Sequence, residues 1–194
     1  MMNEDAIISL ITEDPWMMDI LKTAKAVQLP DWWVCAGFVR SKIWDTLHNF
    51  SDRTPIPDID LIYFNPSHID ELEEKKMEDR LKTLMPNTPW SVKNEARMHL
   101  KSNMPPYVSS VDAISKFTET ATALGVTLDE KENVILAAPC GISDVVNLQV
   151  KPTSFFTETK ERIEIYETRL AKKNWKAIWN KLNVYHIGYV KEQC

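Results

Sequence analysis

Cysteine is scarce in this 194-residue sequence: Cys35, Cys140 and Cys194 lie far apart, are odd in number, and form no Cys-x-x-Cys pair. That excludes a disulfide framework and a zinc-ribbon pattern, and it fits a reducing cytoplasm. No stretch approaches the ~18–20 consecutive apolar residues of a membrane span. The start, MMNEDAIISLITEDPW, is acidic and its apolar part is short and interrupted, so it does not read as a signal peptide. Internal repeats and low-complexity segments are absent. So is any basic excess: 23 Lys and Arg stand against 28 Asp and Glu, a net charge of −5. This argues against broad, non-specific binding to nucleic acid. The later cations, Lys160, Arg162, Arg169, Lys172 and Lys173, follow or interleave with Glu158, Glu161, Glu164 and Glu167. Opposite charges three or four residues apart read as a solvated helix face.

What remains is an ordinary globular composition, 44% apolar and 26% charged. The length suits one domain with a real core. Residues 1–194 are taken as that domain, with an N-terminal helix (about 1–29) and a C-terminal helical segment (about 155–185) packed on a sheet. Seven Trp and eight Met suggest a well-filled core or an aromatic-lined cleft.

Asp14-Pro15 is a good N-cap and first helical pair. Met17, Ile20, Leu21, Ala24 and Val27 then recur at helical spacing. Trp32 to Ala36 reads as a buried strand, punctuated by Gly37, and Val39, Ile43, Trp44, Leu47 and Phe50 as the next helix. Ser51 to Pro57 is a polar, proline-bearing loop. Asp58 to Phe64 is a strand ending at Asn65-Pro66. Ser67 caps a charged helix containing Ile69, Leu72, Leu81 and Leu84, and Trp90 to Met98 is a candidate strand. Val111, Ile114, Phe117, Ala121 and Leu124 are in helical phase, with Gly125 as the C′ residue. Short strands follow near Val126–Leu128, Val134–Ala137 and Leu148–Val150, and then a helix from about Thr157 to Leu182 with a break near Asn174. This order is α+β, a small mixed sheet flanked by helices.

In Asp58-Ile59-Asp60 the two acids are separated by one apolar residue. On a strand, residues i and i+2 project to the same side, so both carboxylates face one point while Ile59 and Leu61 enter the core. Two neighbouring carboxylates repel unless a proton or a cation lies between them, and magnesium favours a few carboxylates plus phosphate oxygens. Taken alone, the spacing also fits two solvent-facing acids at a strand start. The preceding segment, Trp33-Val34-Cys35-Ala36-Gly37-Phe38-Val39-Arg40, shifts the balance. A helix N-terminus after a glycine turn offers free N–H groups to a phosphate, and Arg40 and Ser41 lie in its first turn.

A strand, a glycine turn, a helix and a strand bearing Asp-x-Asp resemble the nucleotidyltransferase fold of DNA polymerase β and its relatives. The blocks AGFVRSKIWDTLH, DIDLIYF, VKNEARMH, TATALGV and APCGISDVVNLQVKP, in that order, resemble one bacterial family of predicted nucleotidyltransferases, formerly a domain of unknown function. The resemblance runs from about Asp31 to the C-terminal region. It implies the nucleotidyltransferase fold, Mg²⁺ on Asp58 and Asp60 in a site with room for two ions, and a nucleoside triphosphate as substrate. It also implies that Gly37 begins the phosphate turn. Two features depart from the superfamily pattern. Gly37 is followed by Phe38, which has no hydroxyl for phosphate, so Ser41 or backbone groups would serve. The gap from Gly37 to Asp58 is also long.

Catalytic members add a later carboxylate. Glu95 is the candidate, as catalytic acid and third metal ligand, with Lys93 and Arg97 on the same strand face contacting triphosphate. An equally ready reading is a strand acid neutralised by those two cations. Asp144 reads better as a helix cap. The four histidines have no ligand spacing, and Cys35 and Cys140 read as buried small hydrophobes.

The expected activity is Mg-dependent transfer of a nucleoside monophosphate to an acceptor hydroxyl, with a protein or small molecule favoured over RNA as acceptor and no membrane involved. The alternatives are a nucleotide-binding or regulatory protein of the same fold without turnover and, more weakly, an interaction protein with an incidental Asp-x-Asp.

Overall fold

The computed structural model describes residues 2–102 and 104–188. The chain opens with two helices where one was expected. α1 (Glu4–Thr12) is capped by Asn3, and α2 (Pro15–Ala26) by Asp14, whose carboxylate accepts from the Met17 N–H. Pro15 cannot continue a preceding helix, so the chain breaks there and restarts. β1 (Trp33–Cys35) leads directly into α3 (Gly37–Leu47). β2 (Ile59–Tyr63) is joined through α4 (Glu71–Leu84) to β3 (Trp90–Asn94). α5 (Glu95–Ser102), α6 (Ser110–Ser115), β4 (Gly125–Leu128), β5 (Val134–Ala137), α7 (Ser143–Val146), β6 (Gln149–Val150), α8 (Lys160–Lys173) and β7 (Asn183–Val184) follow.

The main sheet has the order β3-β2-β1-β4-β5. The pair β2–β3 is parallel, as the α4 crossover requires, and the other pairs are antiparallel. One face carries Val34, Ile59, Leu61, Tyr63, Val92 and Val126 into the main core beneath the first helices. The other face carries Cys35 and Ile62 into a smaller cluster with Ile114 and Ala123. Asp60 alternates with Ile59 and Leu61, so it points to this second face while its neighbours fill the first. β6 and β7 pair in parallel, which ties the segment after Leu182 to the body. Residues 189–194, with Cys194, lie outside the described residues.

Five expectations change. The strand from Trp90 ends at Asn94, because the Asn94 side chain takes over local backbone bonding. Its Oδ1 accepts from the N–H of Asn65 (3.0 Å) and Ala96 (3.2 Å), and its amide donates to the carbonyls of Asn65 and His68. The chain then turns into α5, so Lys93, Glu95 and Arg97 do not share a strand face. The 111–124 helix splits into α6 and a 3-10 turn, Thr120–Thr122. Gly125 opens β4, where a Cβ would lie 2.9 Å from Ile114 Cδ1 and 3.0 Å from Cys35 Sγ. Asp70, not Ser67, caps α4. Cys35 is buried as expected, but Cys140 is exposed. The break at Asn174 is a left-handed residue ending α8. Among the described residues no helix is long and apolar enough to cross a membrane.

Candidate active site

The bend between β1 and α3 is made by Ala36, at φ +55° and ψ −114°, one residue before the glycine expected to make it. An alanine with positive φ is strained. It is held by its N–H to Leu124 O (3.0 Å) and by its carbonyl, which accepts from Arg40 N. No side chain caps α3, so its first-turn N–H groups remain available to a ligand. Gly37 is the first helical residue. A Cβ there would meet Arg40 Nη2 at an ordinary 3.5 Å, so its role is to leave the site side open and not to supply a special conformation.

Asp58 and Asp60 line one cavity of about 360 Å³, together with Ala36, Gly37, Arg40 and Ser41. Asp58 is exposed and Asp60 half-buried. Burial, and then the Asp58 charge, push the Asp60 carboxyl up to about 6, against the opposing pull of Arg169 and Lys173. The two acids thus feel one another across a shared space. Phe38 points away into the core against Trp16, with ring centroids 5.9 Å apart. Ser41 stays at the cavity, accepting from Arg40 Nη2 at 3.4 Å.

The far wall is the loop Thr54–Pro57, together with Trp175, Ile178 and Trp179. Asp45 on α3 holds both parts. It accepts from Thr54 N (2.9 Å), Thr54 Oγ1 (2.6 Å) and Trp179 Nε1 (2.8 Å). Arg40 sits in a tryptophan box, its Cζ 4.4 Å from the Trp175 ring centroid, 5.1 Å from Trp44 and 5.8 Å from Trp179. Burial pushes this guanidinium down to about 10. Its Nε has no hydrogen-bond partner among the described residues. The many tryptophans therefore serve both readings of composition, filling the core and lining the cleft.

Arg169 and Lys173 on α8 close the remaining side. They were read from sequence as part of a solvated helix face. Their one local hint is the i, i+4 spacing, which places both on the same side of α8. Arg169 also donates to the fully buried Glu119 at 2.6 Å. Beyond the tryptophan-rich composition, Trp175, Ile178 and Trp179 carried no positional signal, since most of their cavity partners lie more than a hundred residues earlier.

The other candidates separate. Glu95 and Lys93 line a second hollow of about 290 Å³ that meets the first at Ala36, Asp60 and Arg169. Burial, then Glu74 and Asp60, push the Glu95 carboxyl up to about 7. Arg97 is committed elsewhere. Its Nε and Nη2 clamp the buried Glu74 at 2.8–3.1 Å. Asp144 caps no helix. It accepts from Thr120 Oγ1 (2.8 Å) and Lys151 Nζ (2.9 Å).

Among the described residues no three His, Cys, Asp or Glu side chains converge to hold a metal. The donors at the cavity are two mutually repelling carboxylates with phosphate-sized space beside them. That set suits a hard dication that completes its shell from ligand oxygens, and it does not suit an all-protein cage.

A family profile described as nucleotidyltransferase matches residues 22–184. The chain belongs to the nucleotidyltransferase family. This nucleotidyltransferase is similar to a protein whose NMR structure "reveals a CCA-adding enzyme head domain", at 38% identity over 95% of this chain and 96% of that one, with a TM-score of 0.83. It also superimposes on a CCA-adding enzyme in complex with ATP (15% identity, 86% of this chain and 41% of that one, TM-score 0.53). An apo form of CCA-adding enzyme gives 13% identity, 92% and 42% coverage, and a TM-score of 0.54. The last two show the fold alone, and the chain spans about two fifths of their length. No curated protein matches it. The mixed five-stranded sheet flanked by helices is the nucleotidyltransferase head fold.

Proposed function

We propose that this nucleotidyltransferase binds a nucleoside triphosphate in the larger cavity and transfers its nucleoside monophosphate to an acceptor hydroxyl. The observation that carries this reading is that Asp58, Asp60 and the uncapped start of α3 line one cavity closed by Arg169 and Lys173. A triphosphate needs both kinds of partner, N–H groups and cations for its oxygens and carboxylates for its metal. Relatives of the fold include a CCA-adding enzyme in complex with ATP and one in complex with CTP.

Asp58 and Asp60 would hold Mg²⁺. When bound, Mg²⁺ neutralises charge on the phosphates and lowers the pKa of the attacking hydroxyl. The chain's own residues do the rest. The first-turn N–H groups of α3 and the Ser41 hydroxyl donate to phosphate oxygens. Lys173 and Arg169 offset the charge that accumulates as pyrophosphate leaves. Trp175 and Ile178 offer an apolar surface to the base. The acceptor oxygen forms its bond to the α-phosphorus as the bond to pyrophosphate breaks, and the hydroxyl proton is released.

A second reading, nucleotide binding without turnover, draws on the lack of a third converging acid among the described residues. Calorimetric titration with ATP and CTP, with and without Mg²⁺, tests both readings, and tight Mg-dependent binding is expected. Pyrophosphate release with cell extract then separates transfer from binding alone. No binding of either nucleotide would overturn the proposal.

A further inference from the structure

The two hollows meet at Asp60, Ala36 and Arg169. The larger one, if it holds the triphosphate, leaves the smaller one open to the same phosphorus from another side. In-line displacement needs that arrangement, because the attacking and leaving oxygens stand on opposite sides of the phosphorus. We infer that the smaller cavity is the acceptor subsite, and that it takes a small alcohol bearing a phosphate monoester. This rests on the nucleotide occupying the larger cavity.

The lining gives the chemistry. Lys93 comes from β3 and Lys116 from the end of α6, so two cations reach the space from separate elements. Lys93 lies 3.7 Å from Glu74, whose carboxylate Arg97 already clamps. Lys116 pairs with Asp112, one turn earlier on the same helix, with both side chains about a quarter exposed. Lys116 also lies 5.3 Å from the Tyr107 ring centroid, so it is anchored beside the hollow and a ligand anion shares it with Asp112. Thr118 adds a hydroxyl and Phe117 an apolar ring. In the space of about 290 Å³ three cations, Lys93, Lys116 and Arg169, stand against two carboxylates, Asp60 and Glu95, and burial disfavours the charge of both acids. With the Thr118 hydroxyl this lining favours an anion, and the two lysines suit a dianionic phosphate.

The size of the hollow, about 290 Å³, argues for a small molecule. Beyond Thr118 and Arg169 the surface continues as a groove of mixed charge over α8, with Glu161 and Glu164 beside Lys172 and Lys173. The acceptor's phosphate is thus held by Lys93 and Lys116 while its hydroxyl is presented at Asp60.

The test uses the full chain with Mg²⁺ and a non-hydrolysable ATP analogue, titrated with glycerol 3-phosphate, glycerol, or a short single-stranded RNA. Amide NMR shifts are the readout. Glycerol 3-phosphate should move the amides of Lys116, Phe117, Thr118 and Thr122, and glycerol should not. Lys116→Ala should weaken that response about tenfold and leave the analogue's calorimetric affinity within about twofold. Lys116→Gln, a milder change, confirms that the fold is kept. Equal responses to glycerol and its phosphate, no effect of Lys116→Ala, or RNA as the tighter Lys116-dependent ligand would each overturn the inference. Failure of the analogue to bind shows in calorimetry before any ester is added, and sinks the nucleotide reading instead. The ester titration is then read on the same sample.

Discussion

Trp179 Nε1 donates to Asp45 Oδ1 at 2.8 Å, joining positions 134 residues apart. The same carboxylate holds Thr54 through its N–H and its hydroxyl. One buried acid on α3 thereby sets both the loop that leads to Asp58 and the aromatic wall opposite. Asp45→Ala leaves three donors without their acceptor and should lower stability by about 3 kcal/mol, read as a shift in urea midpoint. Asp45→Asn keeps one acceptor oxygen and should cost less. Equal and small effects from both would mean that the network does not organise the site.

Ala36 holds a backbone conformation that favours glycine, next to the residue where sequence reasoning placed the turn. Ala36→Gly should relieve strain and raise stability by about 1 kcal/mol, measured by thermal or chemical unfolding. Ala36→Val, a β-branched residue in the same conformation, should destabilise. A destabilised Ala36→Gly variant would show that the alanine methyl packs more favourably than the backbone strain costs.

Asp60 and Glu95 titrate near 6 and 7, above their usual values of 3.8 and 4.5, chiefly because they are buried. The folded chain holds protons that the unfolded chain releases near pH 4, so their stabilising contribution is full below about 4 and lost as pH rises through 6 to 7. The loss is about 3 kcal/mol per group at most. Mg²⁺ should restore part of it where the carboxyls are ionised. The rise in melting temperature on adding Mg²⁺ is therefore expected to be clear at pH 7.5 and nearly absent at pH 5. An equal rise at both pH values would place the metal elsewhere.

Much of this was legible in the residues. Alternation placed Asp58 and Asp60 toward one cavity, with Ile59 and Leu61 in the core. Asp14-Pro15 marked the start of α2, and Asn174 the end of α8. What was hidden depended on partners distant in the chain. Asn94 ends β3 because its amide bonds to Asn65 and His68; Asn94 and Ala96 weaken a strand reading of VKNEARM, but nothing in it points to those partners. Gly125 looked like a helix stop but answers the close approach of Ile114 and Cys35. Arg97 matched a phosphate contact by alternation, yet Glu74, one turn into α4, claims it. Arg169 and Lys173 blended into a mixed-charge helix until the fold turned that face toward Asp60.

Asp60 is the one carboxylate shared by both hollows, and replacing it tests the reading most directly. Asp60→Asn keeps the shape and removes the charge that burial and Asp58 disfavour. Its melting temperature should stay level or rise at pH 7.5, while Mg-dependent ATP affinity, measured by calorimetry, should fall by at least about tenfold. Undiminished Mg-dependent ATP binding, or a steep loss of stability in its place, would contradict a metal and nucleotide site at Asp60.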